Sequence, residues 1–331
     1  MGPLYTKVCH RRNNLHASHR SVHETRLRES PPGEPEVDLL VDLLLGLLLG
    51  LSSALVGLIA GVALLGRNMY TFYMTIIPAI DLLDGKCVRL YRGNYAQSTE
   101  YKIDPVEVAN QFVREGARRI HLVDLDAARG GTTDRGSNNR KIIAAIRATV
   151  PDAVIEVGGG IRSAQDVEEL KGIGVDRLIV GTVLVRRPEL VEQWAARYPD
   201  TFIAGIDAKD GEVRISGWEE GSSLTDTEAA RLARESGAVS IIYTNILRDG
   251  TLQGPDIENS LMVADAGGLP VIVSGGIRGM QDFEEIKRIS ADRIAGVITG
   301  KAIYEQRIKL SEVIAAYQSP AMQHGEGSQA W

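Results

Sequence analysis

VGGGIRSAQDVEEL (Val157–Leu170) and VSGGIRGMQDFEEI (Val273–Ile286) are one turn written twice: nine of fourteen positions are identical, and equivalent residues lie 116 apart. In each copy an apolar run stops at glycines and an amphipathic stretch follows, the order of a strand, a tight turn and a helix. The doubling extends beyond the turn. AIDLLDG around Asp81 returns as GIDAKDG around Asp207, 126 residues on, and a run ending in Gly181 and Thr182 returns as one ending in Gly300 and Lys301, 119 residues on. Such offsets point to one unit built from two similar halves.

Eight short β-branched runs fill that unit: TIIPAID, RRIHLVDLD, AVIEVGG, DRLIVGT, TFIAGID, VSIIYTN, PVIVSGG and RIAGVITG. Between them lie stretches such as VEVANQFVREGA, ELVEQWAARYP and EAARLARESGA, with apolar residues three and four apart, the spacing of a helix that buries one face. Strands apolar throughout and separated by helices imply a parallel sheet covered on its outer face. Eight such units in roughly 250 residues predict an α/β chain folded as a (β/α)8 TIM barrel, since an open doubly wound sheet has fewer strands. With a half-barrel repeat, strand three faces strand seven and strand one faces strand five.

The chain has 331 residues, 44% of them hydrophobic, and a net charge of −6, which supplies no basic face for nucleic acid. Its two cysteines, Cys9 and Cys87, form no CxxC, so neither a disulfide framework nor a zinc site is indicated, and a reducing compartment fits. Four of the six histidines (His10, His16, His19, His23) sit among polar residues and read as a disordered tail rather than a metal site. Leu43–Leu65 runs without a charge and is long enough to span a bilayer, with Gly46/Gly50 and Gly57/Gly61 spaced as in packed membrane helices. A second reading is preferred: Met74 directly precedes TIIPAID, so residues 1–73 lie upstream of the true start. The expected organisation is an extension over 1–73, a barrel over 74–319 and a flexible tail over 320–331. The barrel is expected to be cytoplasmic and monomeric, and tied to a membrane only if residues 43–65 are a real anchor.

In such barrels the reactive face lies at the carboxyl ends of the strands, and phosphate sits where glycine-rich turns meet helix N-termini. Gly158, Gly159 and Gly160 leave backbone N–H groups open to an anion, with Ser163 and Asp166 as a capping pair for the next helix, and Gly181 with Thr182 completes the pocket. Gly275, Gly276, Gly300 and Lys301 repeat these parts half a barrel away. The pattern predicts a ligand with a phosphate at each end. Asp81 and Asp207, each ending an apolar strand, would flank its middle and supply the acid and base of a proton transfer. Their structural alternative is a cap on loop backbone. His121, inside strand two, reads as a core residue, and the long stretch Leu90–Lys102 as a loop able to close over a ligand.

PAIDLLDGKCVRLYRG, HLVDLDAARGG, VGGGIRS, GIDAKDGEVRISGW, YTNILRDGTLQGPD and VSGGIRG, in this order over about residues 74–319, resemble the phosphoribosylformimino-5-aminoimidazole carboxamide ribotide isomerases of histidine biosynthesis. The resemblance implies an Amadori rearrangement of an N-linked aminoaldose carrying two phosphoribosyl ends, with no metal or redox cofactor. It implies Asp81 as the proton acceptor at the sugar C2, Asp207 as the donor to the ring oxygen, and Thr244 as a hydroxyl that orients the sugar. Arg162 either touches the imidazole carboxamide or braces its loop; Trp218 either stacks on the base or packs a loop, the second being favoured. The nearest rival is the cyclase subunit of imidazole glycerol phosphate synthase, whose first-strand motif continues to a lysine where Arg89 stands here. An isomerase that also accepts phosphoribosylanthranilate is a second rival, and a non-catalytic module for bisphosphorylated metabolites a third, disfavoured by the paired acids.

Overall fold

The computed structural model describes residues 73–129, 138–290 and 293–318. The histidine-containing tail, the apolar run Leu43–Leu65 and residues 320–331 lie outside the described residues, and among those described no helix is long and apolar enough to cross a membrane.

Twelve strands are described in chain order: β1 (Thr75–Leu83), β2 (Lys86–Tyr91), β3 (Asn94–Glu100), β4 (Arg119–Asp124), β5 (Val154–Gly158), β6 (Arg177–Val180), β7 (Phe202–Lys209), β8 (Glu212–Ile215), β9 (Glu220–Thr225), β10 (Ser240–Asn245), β11 (Val271–Ser274) and β12 (Ile294–Thr299). β1, β4, β5, β6, β7, β10, β11 and β12 pair in parallel in that order, and β12 pairs back with β1, so the sheet closes. These are the eight strands expected from sequence, and the chain is a (β/α)8 barrel.

The other four strands were not anticipated. β2 and β3 form an antiparallel hairpin continuing β1, so Leu90–Lys102 is largely strand rather than loop. β8 and β9 do the same after β7. Asp81 and Asp207 therefore do not end their strands: each pairs with a residue of the returning hairpin, Val88 and Arg214 respectively. The exposed, polar β3 carries little apolar alternation, and backbone pairing alone makes it a strand.

Period-two alternation sorts the barrel residues. Ile76 and Ile80 face the helices in the main core, while Ile77 and Ala79 join Ile203, Ile242, Ile272 and Ile298 in a separate cluster inside the barrel. Each such isoleucine, removed from water, contributes about 2 kcal/mol. The inward row of β1 continues from Ala79 to Asp81, and that of β7 from Ile203 through Gly205 to Asp207, which brings both carboxylates to the open end of the barrel.

Local chemistry sets the helix starts at that end. The Ser163 hydroxyl accepts from the Asp166 N–H while the Asp166 carboxylate accepts from the Ser163 N–H, starting the helix Ala164–Ile173 with the capping box expected. Thr225 and Glu228 repeat the arrangement for Asp226–Glu235, directly after β9. The loop after the second strand of each half is tied by an Asn–Asp pair with exchanged order: Asn139 donates to Asp124 at 2.8 Å in the first, Asn245 to Asp256 at 2.7 Å in the second.

Candidate active site

The carboxyl ends of the parallel strands open into one cavity. Every residue singled out above as catalytic, phosphate-binding or substrate-contacting lines it, together with Arg89, His121, Arg214 and Asp249, to which the sequence reading assigned no catalytic or binding role.

The two symmetry-related carboxylates have different surroundings. Asp81 accepts a 2.7 Å bond from Arg89 Nη1, and Arg89 also donates through Nη2 to the Ala79 carbonyl at 3.0 Å. Arg89 comes from β2, so the first hairpin delivers a cation onto the first acid. No guanidinium among the described residues acts on Asp207. Burial raises its pKa, against hydrogen bonds from Trp218 and Thr244 and the field of His121, all of which favour the ionised form. Thr244 pairs with Asp207 across β10 and β7, so strand register brings the hydroxyl beside the carboxyl. Trp218 hydrogen-bonds to Asp207 as well, which places its indole beside the second acid.

A third carboxyl joins them. Asp249, in the turn after β10, has a pKa raised to about 6, first by burial and then by the fields of Asp81 and Asp207, with Arg89 opposing. It lies against the second glycine turn, where a Cβ on Gly275 would come within 3.3 Å of the Asp249 carboxyl oxygen. Asp249 stands in YTNILRDGTLQGPD, but its proximity to Asp81 and Asp207 arises only when the barrel closes.

The hairpins meet over this floor. Asp84-Gly85, Arg92-Gly93 and Asp210-Gly211 are turns in which both residues have positive φ. Gly93 lies under Trp218 so closely that a Cβ there would overlap the indole ring. The tip of the first hairpin thus supports the residue of the second that bonds Asp207.

The two glycine turns share one backbone form. Gly159 and Gly160 have φ of +100° and +71°, Gly275 and Gly276 of +83° and +82°. A Cβ on Gly159 would strike the Asp124 carbonyl oxygen, and one on Gly276 the Gly254 carbonyl oxygen. The glycines are therefore required by conformation and close packing even without a ligand. Their neighbours differ. Arg162 donates to the carbonyls of Ala127 and Ala128, both at 3.0 Å, which braces the first turn; Arg278 instead pairs with Asp282 in the helix that follows it. The Thr182 hydroxyl accepts from the Ser216 N–H at 2.9 Å, while Lys301 reaches the Gly250 carbonyl at 2.6 Å. The Arg89 guanidinium covers Gly300, occupying the space a Cβ there would need. The second pocket is accordingly the more cationic.

Comparison with known proteins agrees with this architecture. The profile of the histidine biosynthesis protein family matches residues 75–309. A Cyanothece protein is 46% identical over 245 residues, spanning 73% of this chain and 93% of its own. One from Hahella chejuensis is 45% identical over 239 residues, 72% of this chain and 96% of its own, and one from Parasynechococcus marenigrum 43% over 250 residues, 76% and 96%. All three are named 1-(5-phosphoribosyl)-5-((5-phosphoribosylamino)methylideneamino)imidazole-4-carboxamide isomerase.

Proposed function

The chain belongs to the histidine biosynthesis protein family as one of its isomerases, and from that premise we propose that its barrel performs an Amadori rearrangement on an imidazole carboxamide ribotide carrying two phosphoribosyl ends. The relatives' names fit the isomerase and not the cyclase subunit. The observation that carries the reading is the half-barrel pairing: two glycine turns of one conformation, on β5 and β11, with a carboxylate at equivalent positions of β1 and β7 between them.

Gly158, Gly159, Gly160, Gly181 and Thr182 hold one phosphate; Gly275, Gly276, Gly300 and Lys301 hold the other. Anchoring both ends leaves the aminoaldose over the acids, and fixing the reacting group there supplies much of the rate. Asp207 gives a proton to the ring oxygen, the C1–O bond breaks, and an iminium forms at C1. Asp81, an acceptor while Arg89 donates to it, takes the proton from C2 to give an enolamine. Return of a proton to C1 and loss of one from the C2 hydroxyl leave the aminoketose, with no atom or electron gained or lost overall. Thr244 orients Asp207 and the sugar. Arg162 acts as a brace of the first turn, and Trp218 as a donor to Asp207.

A second assignment of the donor is favoured by one observation, the pKa of Asp249 near 6, close to that of an acid working near neutrality. Asp207→Asn and Asp249→Asn, assayed side by side, decide between them. The assigned donor loses about 100-fold or more in kcat, and normal turnover by Asp207→Asn would remove it from the role. Titration with inorganic phosphate tests the grip: two sites are expected, and a single site at β11 and β12 would make the first turn structural. The reading carries with it a monomer acting in the cytoplasm on a small-molecule substrate.

A further inference from the structure

The inside of the barrel is not uniformly apolar. Opposite the isoleucines, β4, β5 and β6 send inward a connected set of charged and polar side chains. Glu156 on β5 is fully buried, with Arg119 Nε on one carboxylate oxygen and His121 Nδ1 on the other at 2.7 Å. A buried carboxylate is costly unless both oxygens are satisfied, and here both are. His121 itself is 12% exposed and on the cavity wall. It is also the sole histidine between residues 24 and 323.

The hydrogen-bond chemistry fixes the imidazole. An ionised carboxylate only accepts, so Nδ1 must carry the proton, and Nε2 remains for the cavity side. Glu156 stays ionised: burial opposes this, but Arg119 and His121 together hold its pKa below the ordinary carboxylate value. We propose that Arg119, Glu156 and His121 form a buried relay under the active site that locks His121 with Nδ1–H on Glu156, making His121 a positioning residue that favours the carboxylate formed when Asp207 gives up its proton.

The groups facing His121 are few. They are Asp81 beyond its β1 neighbour Ala79, Glu156 on β5, Arg177 paired with Glu156 on β6, and Asp207 on β7, with Arg119 on its own strand. Arg177 turns to the Asp200 carbonyl at the opposite end of the barrel, which leaves His121 as the member of this set whose field acts on Asp207. The inference rests on the assignment of Asp207 as proton donor, and the experiment separates the two.

Nitrogen-15 spectra of the imidazole across pH, on the full chain, test the lock without any variant. A protonated Nδ1 at every pH at which the chain is folded is expected, and a neutral imidazole protonated on Nε2 alone would overturn the proposal. Glu156→Gln keeps the shape and removes the charge. The limb of the kcat profile that belongs to Asp207 is then expected to move up by about one pH unit, because an imidazole no longer held by a carboxylate supports the ionised acid less. An unmoved limb together with an unchanged imidazole spectrum would show that the set is only structural. Asp207→Asn is run alongside: if it keeps full turnover, the donor assignment fails on its own, and the imidazole spectrum still decides whether Glu156 locks His121.

Discussion

Asp81, Asp207 and Asp249 line one cavity, and burial of the last two raises their pKa at a cost in stability. Asp249 is the plainest case. Its folded pKa of about 6 lies above the ordinary 3.8, so the folded chain holds the proton more tightly than the unfolded chain. Stability is therefore full below about pH 4, falls between about pH 4 and 6, and stays lowered above that. Asp249→Asn removes the penalty. Urea denaturation at pH 8 is expected to show the variant about 2 kcal/mol more stable, after discounting for partial solvent access, and at pH 4 no difference. Sequence made Asp81 and Asp207 visible because they recur at equivalent places in the repeat. Asp249 has no such echo, and its pKa is raised first by burial and then by Asp81 and Asp207, neither of them near it in the chain.

The hairpins after β1 and β7 repeat the same device, and each places one decisive side chain: Arg89 on Asp81, Trp218 on Asp207. Their turns were readable, since Asp84-Gly85 and Asp210-Gly211 are the dipeptides that tight hairpins favour. What concealed the strands was composition, because exposed strands need no apolar alternation. Gly93→Ala tests the contact between the tips. The added methyl meets the indole and displaces it from Asp207, so kcat is expected to fall about tenfold or more with circular dichroism unchanged. Gly211→Ala is the control: its φ of +81° carries the same backbone strain, about 1 kcal/mol, but no atom lies within 4 Å of the new carbon. It is expected to lower the melting temperature and leave kcat alone.

Taken as a molecule, the barrel repeats the backbone of its two glycine turns but not the side chains around them. The glycine turns match in conformation, yet one is braced by Arg162 and the other is covered by Arg89 and Lys301. Inside, charged groups on β4, β5 and β6 stand beside an isoleucine cluster that spans the other strands and reaches Ile179 of β6. Among the described residues, those lining the cavity fall between Ala79 and Ala302. A chain begun at Met74 is therefore expected to keep the turnover of the full chain in a steady-state assay, and a loss of more than about tenfold would tie residues 1–73 to the barrel's activity.

Periodicity, repeat spacing and glycine placement were enough to derive the barrel, its two halves, the capped helix at Ser163 and the paired glycine turns and acids that line one cavity. Those features depend on local chain geometry, on which side chains a strand turns inward and which turns tolerate only glycine, and local geometry is written in neighbouring residues. The partners of the acids are another matter. Arg89 on Asp81, Trp218 and Thr244 on Asp207, Asp249 beside them and Glu156 beneath His121 are contacts through space, and Arg162 as a brace is one as well. They exist because a closed sheet brings strands far apart in sequence within hydrogen-bond reach, and burial then sets which carboxyl keeps its proton.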